Sequence, residues 1–156
     1  MYYLNVITFN SRQFLLLFYI LVGLSVFYLV NKKQSYLPFL GETVIPLSVP
    51  EYKPINSKIL TIIDVEDSEA VKVMYWGANP SATVFNNHDL AYQNFTNAGI
   101  VSIVDKKATL YFNGCPAKYK VPKYGFSEQL LPSHVHYRYI RASGMASEVF
   151  TKELNC

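Results

Sequence analysis

The chain has 156 residues, 14 Lys plus Arg against 11 Asp plus Glu, and a formal charge of +3. That length suits one small folded domain rather than two. A charge this mild, scattered along the chain, does not make a nucleic-acid-binding surface. Thirteen Tyr and ten Phe, alongside many Val, Ile and Thr, favour strands.

In chain order, residues 1–12 form a flank and residues 13–33 read as a transmembrane anchor. Phe14 to Val30 carries no charge, a run of about 17 residues, near the lower limit for a helix that crosses a bilayer. Tyr19 and Tyr28 suit the interfacial belts, and Lys32 and Lys33 can snorkel. A cleaved signal peptide and a buried core helix are the rival readings. The run is long for the first, no small-x-small cleavage site follows it, and the second lacks an obvious apolar partner. Lys32 and Lys33 slightly outweigh Arg12 and the amino terminus, which tilts the folded domain towards the cytoplasm.

Residues 34–57 contain Pro38, Pro46, Pro50 and Pro54 and read as an extended linker, with edge pairing open to Thr43–Ile45. Residues 58–156 form the folded domain. Seven β-like runs are separated by turn residues there: Lys58–Asp64, Ala70–Trp76, Gly99–Val104, Ala108–Asn113, Ala117–Val121, Ser133–Ile140 and Ser147–Leu154. Asp105-Lys106-Lys107 joins two of them as a tight hairpin. No sustained helical period occurs past residue 35, so the expected fold is all-β, a single small antiparallel β-sandwich behind one N-terminal helix.

Asn79 to Asn97 is polar, turn-rich and long for a passive connection, and such loops often carry function. The acidic turn Asp64, Glu66, Asp67, Glu69 reads as a solvated loop, because it lacks a cation-loop spacing. Asn94-Phe95-Thr96 is a glycosylation triplet, which does not decide topology by itself. Cys115 and Cys156 can pair only where the chain folds back on itself, and the redox compartment stays open.

The strand around Ser133–Ile140 holds two of the three histidines. Alternation puts His134, His136, Arg138 and Ile140 on one face and Val135, Tyr137 and Tyr139 on the other, the core side. Two imidazoles at i and i+2 can ligate one metal ion, and the same spacing also occurs on plain polar sheet faces. Tyr119, on the preceding strand, falls on an inward or cavity-facing row. A phenolate there suits ferric iron, whereas a hydrogen-bonded core-edge tyrosine is the other reading.

The order Tyr119-x-Val-Pro, a Gly-containing loop, then Pro132-Ser-His134-Val-His136-Tyr137 resembles the intradiol ring-cleavage dioxygenases. That family has Tyr-x-Ile/Val-Pro followed by Arg-Pro-Ala-His-Ile-His-Phe. Val73 to Asn79 resembles its Val-x-x-Trp-x-Ala-Asn strand, and Asp105 to Phe112 its Asp-x-x-Gly-x-Tyr-x-Phe hairpin. The resemblance covers about Val71 to Leu154. It implies a β-sandwich and non-haem ferric iron held by Tyr119, His134 and His136. Two departures bear on the chemistry. The family's second iron-binding tyrosine falls at Thr83 or Val84, with Tyr92 farther along the loop. The arginine before its Pro-Ala-His phrase is Leu131 here, leaving Arg138 as the candidate substrate-side cation. On that ligand count no catalytic residue is expected, and an intradiol-type dioxygenase using His134, His136 and Tyr119 is the alternative.

Tyr75–Pro80, Cys115–Pro122 and Pro132–Arg138 are together similar to proteins encoded by large double-stranded DNA viruses of algae and protists. That likeness implies a single-pass membrane protein of the virion, a minor capsid component whose domain faces the capsid from an internal membrane. Its partners would be the membrane and other structural proteins, with no nucleic acid.

Overall fold

The computed structural model describes residues 10–36, 43–45, 49–123 and 127–156. It divides into two compact units, Met1–Pro38 and Phe39–Cys156.

The first unit is helix α1 (Ser11–Tyr36). Its Ser11–Asn31 portion has a mean hydropathy of 2.3 and no buried residue, so the helix is long and apolar enough to cross a membrane. The apolar side chains lie on every face, as lipid contact requires and as a one-sided soluble helix would not. Two polar side chains of the run bond back to the helix backbone. Ser25 Oγ donates to the Leu21 carbonyl and Asn31 Nδ2 to that of Phe27, each at 2.8 Å.

The second unit is built from antiparallel strands. These are β1 (Thr43–Val44), β2 (Lys58–Asp64), β3 (Ala70–Gly77), β4 (Ala98–Ser102) and β5 (Lys107–Phe112), followed by β6 (Tyr119–Lys123), β7 (Ser127–Leu131), β8 (His134–Arg141), β9 (Met145–Ala146) and β10 (Phe150–Glu153). A six-stranded sheet runs β1-β9-β8-β3-β4, and β10 pairs with β8 beside β9. The ribbons β2-β5 and β6-β7 are separate.

One core holds the larger sheet against the β2-β5 ribbon. Val73, Tyr75, Val101, Val135 and Tyr139 come from the sheet, and Ile63, Ala108, Leu110 and Phe112 from the ribbon. Val73 and Tyr75 are spaced by two on β3, as are Ala108, Leu110 and Phe112 on β5, the alternation of strands with one face inward. The Tyr75 hydroxyl, carried into this core, donates to the Tyr111 carbonyl at 2.9 Å. Gly99 lies opposite Tyr75, and a Cβ there would meet the Tyr75 hydroxyl at 2.3 Å, so only glycine fits.

The hairpin expected at Asp105-Lys106-Lys107 is present. Asp105 and Lys106 both take positive φ, and the Val104 and Lys107 backbones exchange hydrogen bonds at 2.9 Å. Pairing of the Thr43–Ile45 edge is also present, through Thr43 opposite Ala146 and the Ile45 amide bound to the Gly144 carbonyl. Farther along, Tyr52 and Ile100 exchange backbone bonds at 3.1 and 3.0 Å, and Lys72 Nζ reaches the Val49 carbonyl. The described parts of the proline-rich stretch from residue 43 are thus stitched onto the sheet, because prolines tolerate an edge where their missing N–H faces outward.

Strand β7 falls where the sequence suggests a loop, and Pro122 sits within β6 opposite Glu128 rather than opening a turn. Glu128 and Gln129 give β7 no apolar alternation, since its residues are mostly exposed. The glycine of the loop expected there lies outside the described residues. In the acidic turn, Asp67 is not merely solvated, since its Oδ2 accepts from Arg141 Nε at 2.8 Å.

Candidate metal centre

Register places the pieces of the site. On β8, His136 lies opposite Trp76 of β3 on one side and Thr151 of β10 on the other, and His134 lies opposite Glu153. Val135 and Tyr139 point to the core, so both histidines face the opposite side of the sheet, as alternation predicts. Trp76 shares that face and packs on His136 with ring centroids 5.7 Å apart. Trp76 is half-buried there, one residue out of phase with buried Tyr75.

The β6-β7 hairpin brings Tyr119 over these rings. Its pairing with Phe85 through backbone bonds on both sides fixes the strand against the Asn79–Asn97 loop. The Tyr119 hydroxyl lies 3.1 Å from His134 Nε2. That loop contains the short helix α2 (His88–Ala91), capped by Asn87, whose side chain accepts from the Leu90 amide at 2.9 Å. Where α2 ends, Tyr92 turns inward and sets its hydroxyl 3.2 Å from that of Tyr119 and 3.5 Å from His134 Nε2.

Asparagines hold the loop in this shape. The Asn79 amide donates to the Ala91 carbonyl, its Nδ2 donates to the Gln93 carbonyl, and its Oδ1 accepts from Thr96. Asn97, fully buried, donates to the Ala78 carbonyl and accepts from the Asn113 amide. These bonds tie both ends of the loop to the neighbouring backbone.

Hydrogen-bond direction follows from the partners. The Pro132 carbonyl, 2.6 Å from His134 Nδ1, can only accept, so Nδ1 carries the proton and Nε2 presents its lone pair to the tyrosines. Tyr119 donates to that lone pair, and Tyr92 in turn donates to Tyr119. His136 is oriented separately, its Nδ1 lying 2.8 Å from Thr151 Oγ1. The two imidazole centroids are 4.7 Å apart, and the Tyr92 ring lies 6.2 Å from that of His136.

Burial governs the protonation of the group. It pushes the Tyr92 phenol far up, reinforced by the neighbouring Tyr119. Tyr119 is raised by burial too, partly offset by the hydrogen bond from Tyr92. Burial, then the adjacent His134, lowers His136 to about 4. Two neutral phenols and the neutral imidazole of His136 therefore share a low-dielectric space.

Among the described residues no three His, Cys, Asp or Glu side chains come together. A metal here would need the phenolates. The donor set fits one hard, highly charged cation such as ferric iron, which phenolate oxygen and imidazole nitrogen both suit. A backbone carbonyl and a threonine hydroxyl fixing the outer nitrogens of the rings are the usual supports of metal-binding histidines.

Of the residues singled out from sequence, Tyr119, His134 and His136 are brought together. Tyr92, which sequence left unplaced on its loop, joins them, while Thr83 and Val84 are exposed. Arg138 lies opposite Met74, two residues beyond His136 along β8. Leu131 lies opposite Tyr119 and packs with Ala78, Ala91 and Tyr119 in a small apolar cluster. Asn94 sits exposed on the turn that follows Tyr92. Tyr92 and Thr151 carry no sequence signal of their own, one depending on where a four-residue helix ends and the other on strand register. No family model matches the chain, and no curated protein or solved structure matches it.

Proposed function

We propose that the β domain is a mononuclear non-haem iron domain behind a membrane-spanning helix, with Tyr92, Tyr119, His134 and His136 as the iron-holding residues. The observation that carries this reading is the meeting of two phenolic oxygens and an imidazole lone pair within 3.1–3.5 Å of one another, beside a second oriented histidine. Bound ferric iron would supply a Lewis acid that lowers the phenol pKa values and accepts a catecholate-type ligand. The chain's residues do the rest. The Pro132 carbonyl and Thr151 aim the imidazoles, and burial keeps water from competing. Tyr92 or Tyr119, as phenolate, would be a base within reach of an incoming phenol proton.

This reading supports the intradiol-type oxygenase over the expectation of a site lacking its second tyrosine. The second reading, a non-catalytic tether such as a minor virion component between membrane and shell, is favoured by Leu131. It fills with an apolar side chain the place where the resemblance calls for an arginine.

Titrating the full chain in detergent with ferric iron tests the proposal. One equivalent should bind with a visible phenolate-to-iron charge-transfer band that weakens in Tyr119→Phe and in Tyr92→Phe. A colourless protein that takes up no iron overturns it. Iron uptake without oxygen consumption on catechols assigns the tether instead of the oxygenase.

A further inference from the structure

The two cysteines of the chain are joined as Cys115–Cys156, with Cα atoms 6.1 Å apart at a sequence separation of 41. The bond is no buried relic, since Cys115 is half-buried and Cys156 exposed. A disulfide within reach of soluble thiols persists in an oxidising compartment and is reduced by the cytosolic glutathione pool. The chain therefore belongs, from Cys115 to Cys156, on the non-cytoplasmic side of a membrane.

Charge around α1 does not outweigh this. Arg12 on one flank faces Lys32 and Lys33 on the other, a margin of one basic side chain. A second feature, independent of the cysteines, points the same way. Asn94-Phe95-Thr96 meets the acceptor rule for N-linked glycans. Asn94 is exposed, stands on a left-handed turn at φ 61°, and its side chain makes no hydrogen bond among the described residues. Asn97, three residues later, is fully buried and bonded on both ends of its amide. The acceptor asparagine is thus the one whose modification the fold tolerates.

We propose that α1 spans its membrane with the β domain on the non-cytoplasmic side, where Cys115 and Cys156 are oxidised and Asn94 carries an N-linked glycan. The inference stands apart from the metal reading. In the glycan step, Asn94 Nδ2 displaces the diphosphate of a lipid-linked oligosaccharide. An N–C bond forms at the sugar C1, the C1–O bond breaks with its electron pair leaving on the lipid diphosphate, and the amide proton goes to a base. In the cysteine step the two thiols give two protons and two electrons to a disulfide-bearing oxidoreductase, which leaves as its dithiol. Thr96 Oγ1 is committed to Asn79 Oδ1 at 2.7 Å in the folded loop, so sugar transfer precedes closure of that loop.

Translation of the full chain in the presence of rough microsomes tests the proposal. The product should gain one glycan, removable by an N-glycosidase and absent from both Asn94→Gln and Thr96→Ala. It should resist added protease until detergent is present, and a maleimide should label its cysteines only after reduction. A domain digested from outside, with both thiols labelled without reductant, overturns the topology. A protected, disulfide-bonded chain without a glycan overturns the assignment of Asn94.

Discussion

The phenolic oxygens of Tyr92 and Tyr119 lie 3.2 Å apart across 27 residues of sequence. Two phenolates at that distance in a buried space repel strongly, so both stay protonated unless a cation stands by them. Tyr119→Phe removes a donor that also meets His134, whereas Tyr92→Phe removes the outer member of the relay. Each should weaken ferric iron binding at least tenfold, about 1.4 kcal/mol, by isothermal titration. Without iron, Tyr92→Phe deletes one neutral hydrogen bond and should change unfolding free energy by only about 1 kcal/mol.

Acid should unfold the β domain through His136. In an unfolded chain it titrates near 6.5, and burial together with His134 lowers it to about 4 in the fold. A depressed histidine pKa means the unfolded chain takes the proton first. The stabilisation is complete above about pH 6.5 and is lost as pH falls towards 4, amounting to about 3 kcal/mol. Asp67 does not overlap this window. Burial opposes its ionisation, but the hydrogen bond and charge of Arg141 prevail and hold it below 3.8. Melting temperature measured from pH 7 to 4 should drop steeply in the wild type and less in His136→Gln.

Reducing Cys115–Cys156 releases a closed span of 41 residues, a loss of about 4 kcal/mol by chain entropy. Because β10 leads into Cys156 and pairs with β8, the amides of Phe150–Glu153 should lose hydrogen-exchange protection first. The double variant Cys115→Ser, Cys156→Ser should show the same midpoint in urea as the reduced protein. Equal midpoints for reduced and oxidised wild type contradict the linkage.

Gly99→Ala tests the packing beneath the sheet. The added methyl meets the Tyr75 hydroxyl, whose ring is wholly buried, and the Tyr52 carbonyl at 2.8 Å. Neither can give way cheaply, so the cost should be about 1–3 kcal/mol by denaturant unfolding.

Most of the strands were readable because their residues alternate against one core. Lys58–Asp64 matches β2 end to end, and its last residues alternate, with Ile63 buried between exposed Ile62 and Asp64. Strand β7 was not readable, because an exposed ribbon imposes no pattern on Ser127–Leu131. The site was legible in the same uneven way. His134 and His136 share a face by the two-residue period, and Tyr119 falls on an inward row of its strand. Tyr92 depends on Asn87 starting a helix, on Asn79 closing the loop, and on the chain turning where that helix ends. These are tertiary facts that no local period encodes.

The four site residues do not sit on equally firm ground. His134 and His136 lie on β8, which is paired along both edges, by β3 on one side and by β10 and β9 on the other. Tyr119 and Tyr92 belong to a two-stranded ribbon and a loop joined to it by the Phe85 bridge and a small apolar cluster. Partial opening should therefore release the tyrosines long before the histidines. An ion held by all four would act as a brace, drawing the ribbon down onto the sheet. Its apparent affinity would report how often the Asn79–Asn97 loop is closed as much as how well the donors fit.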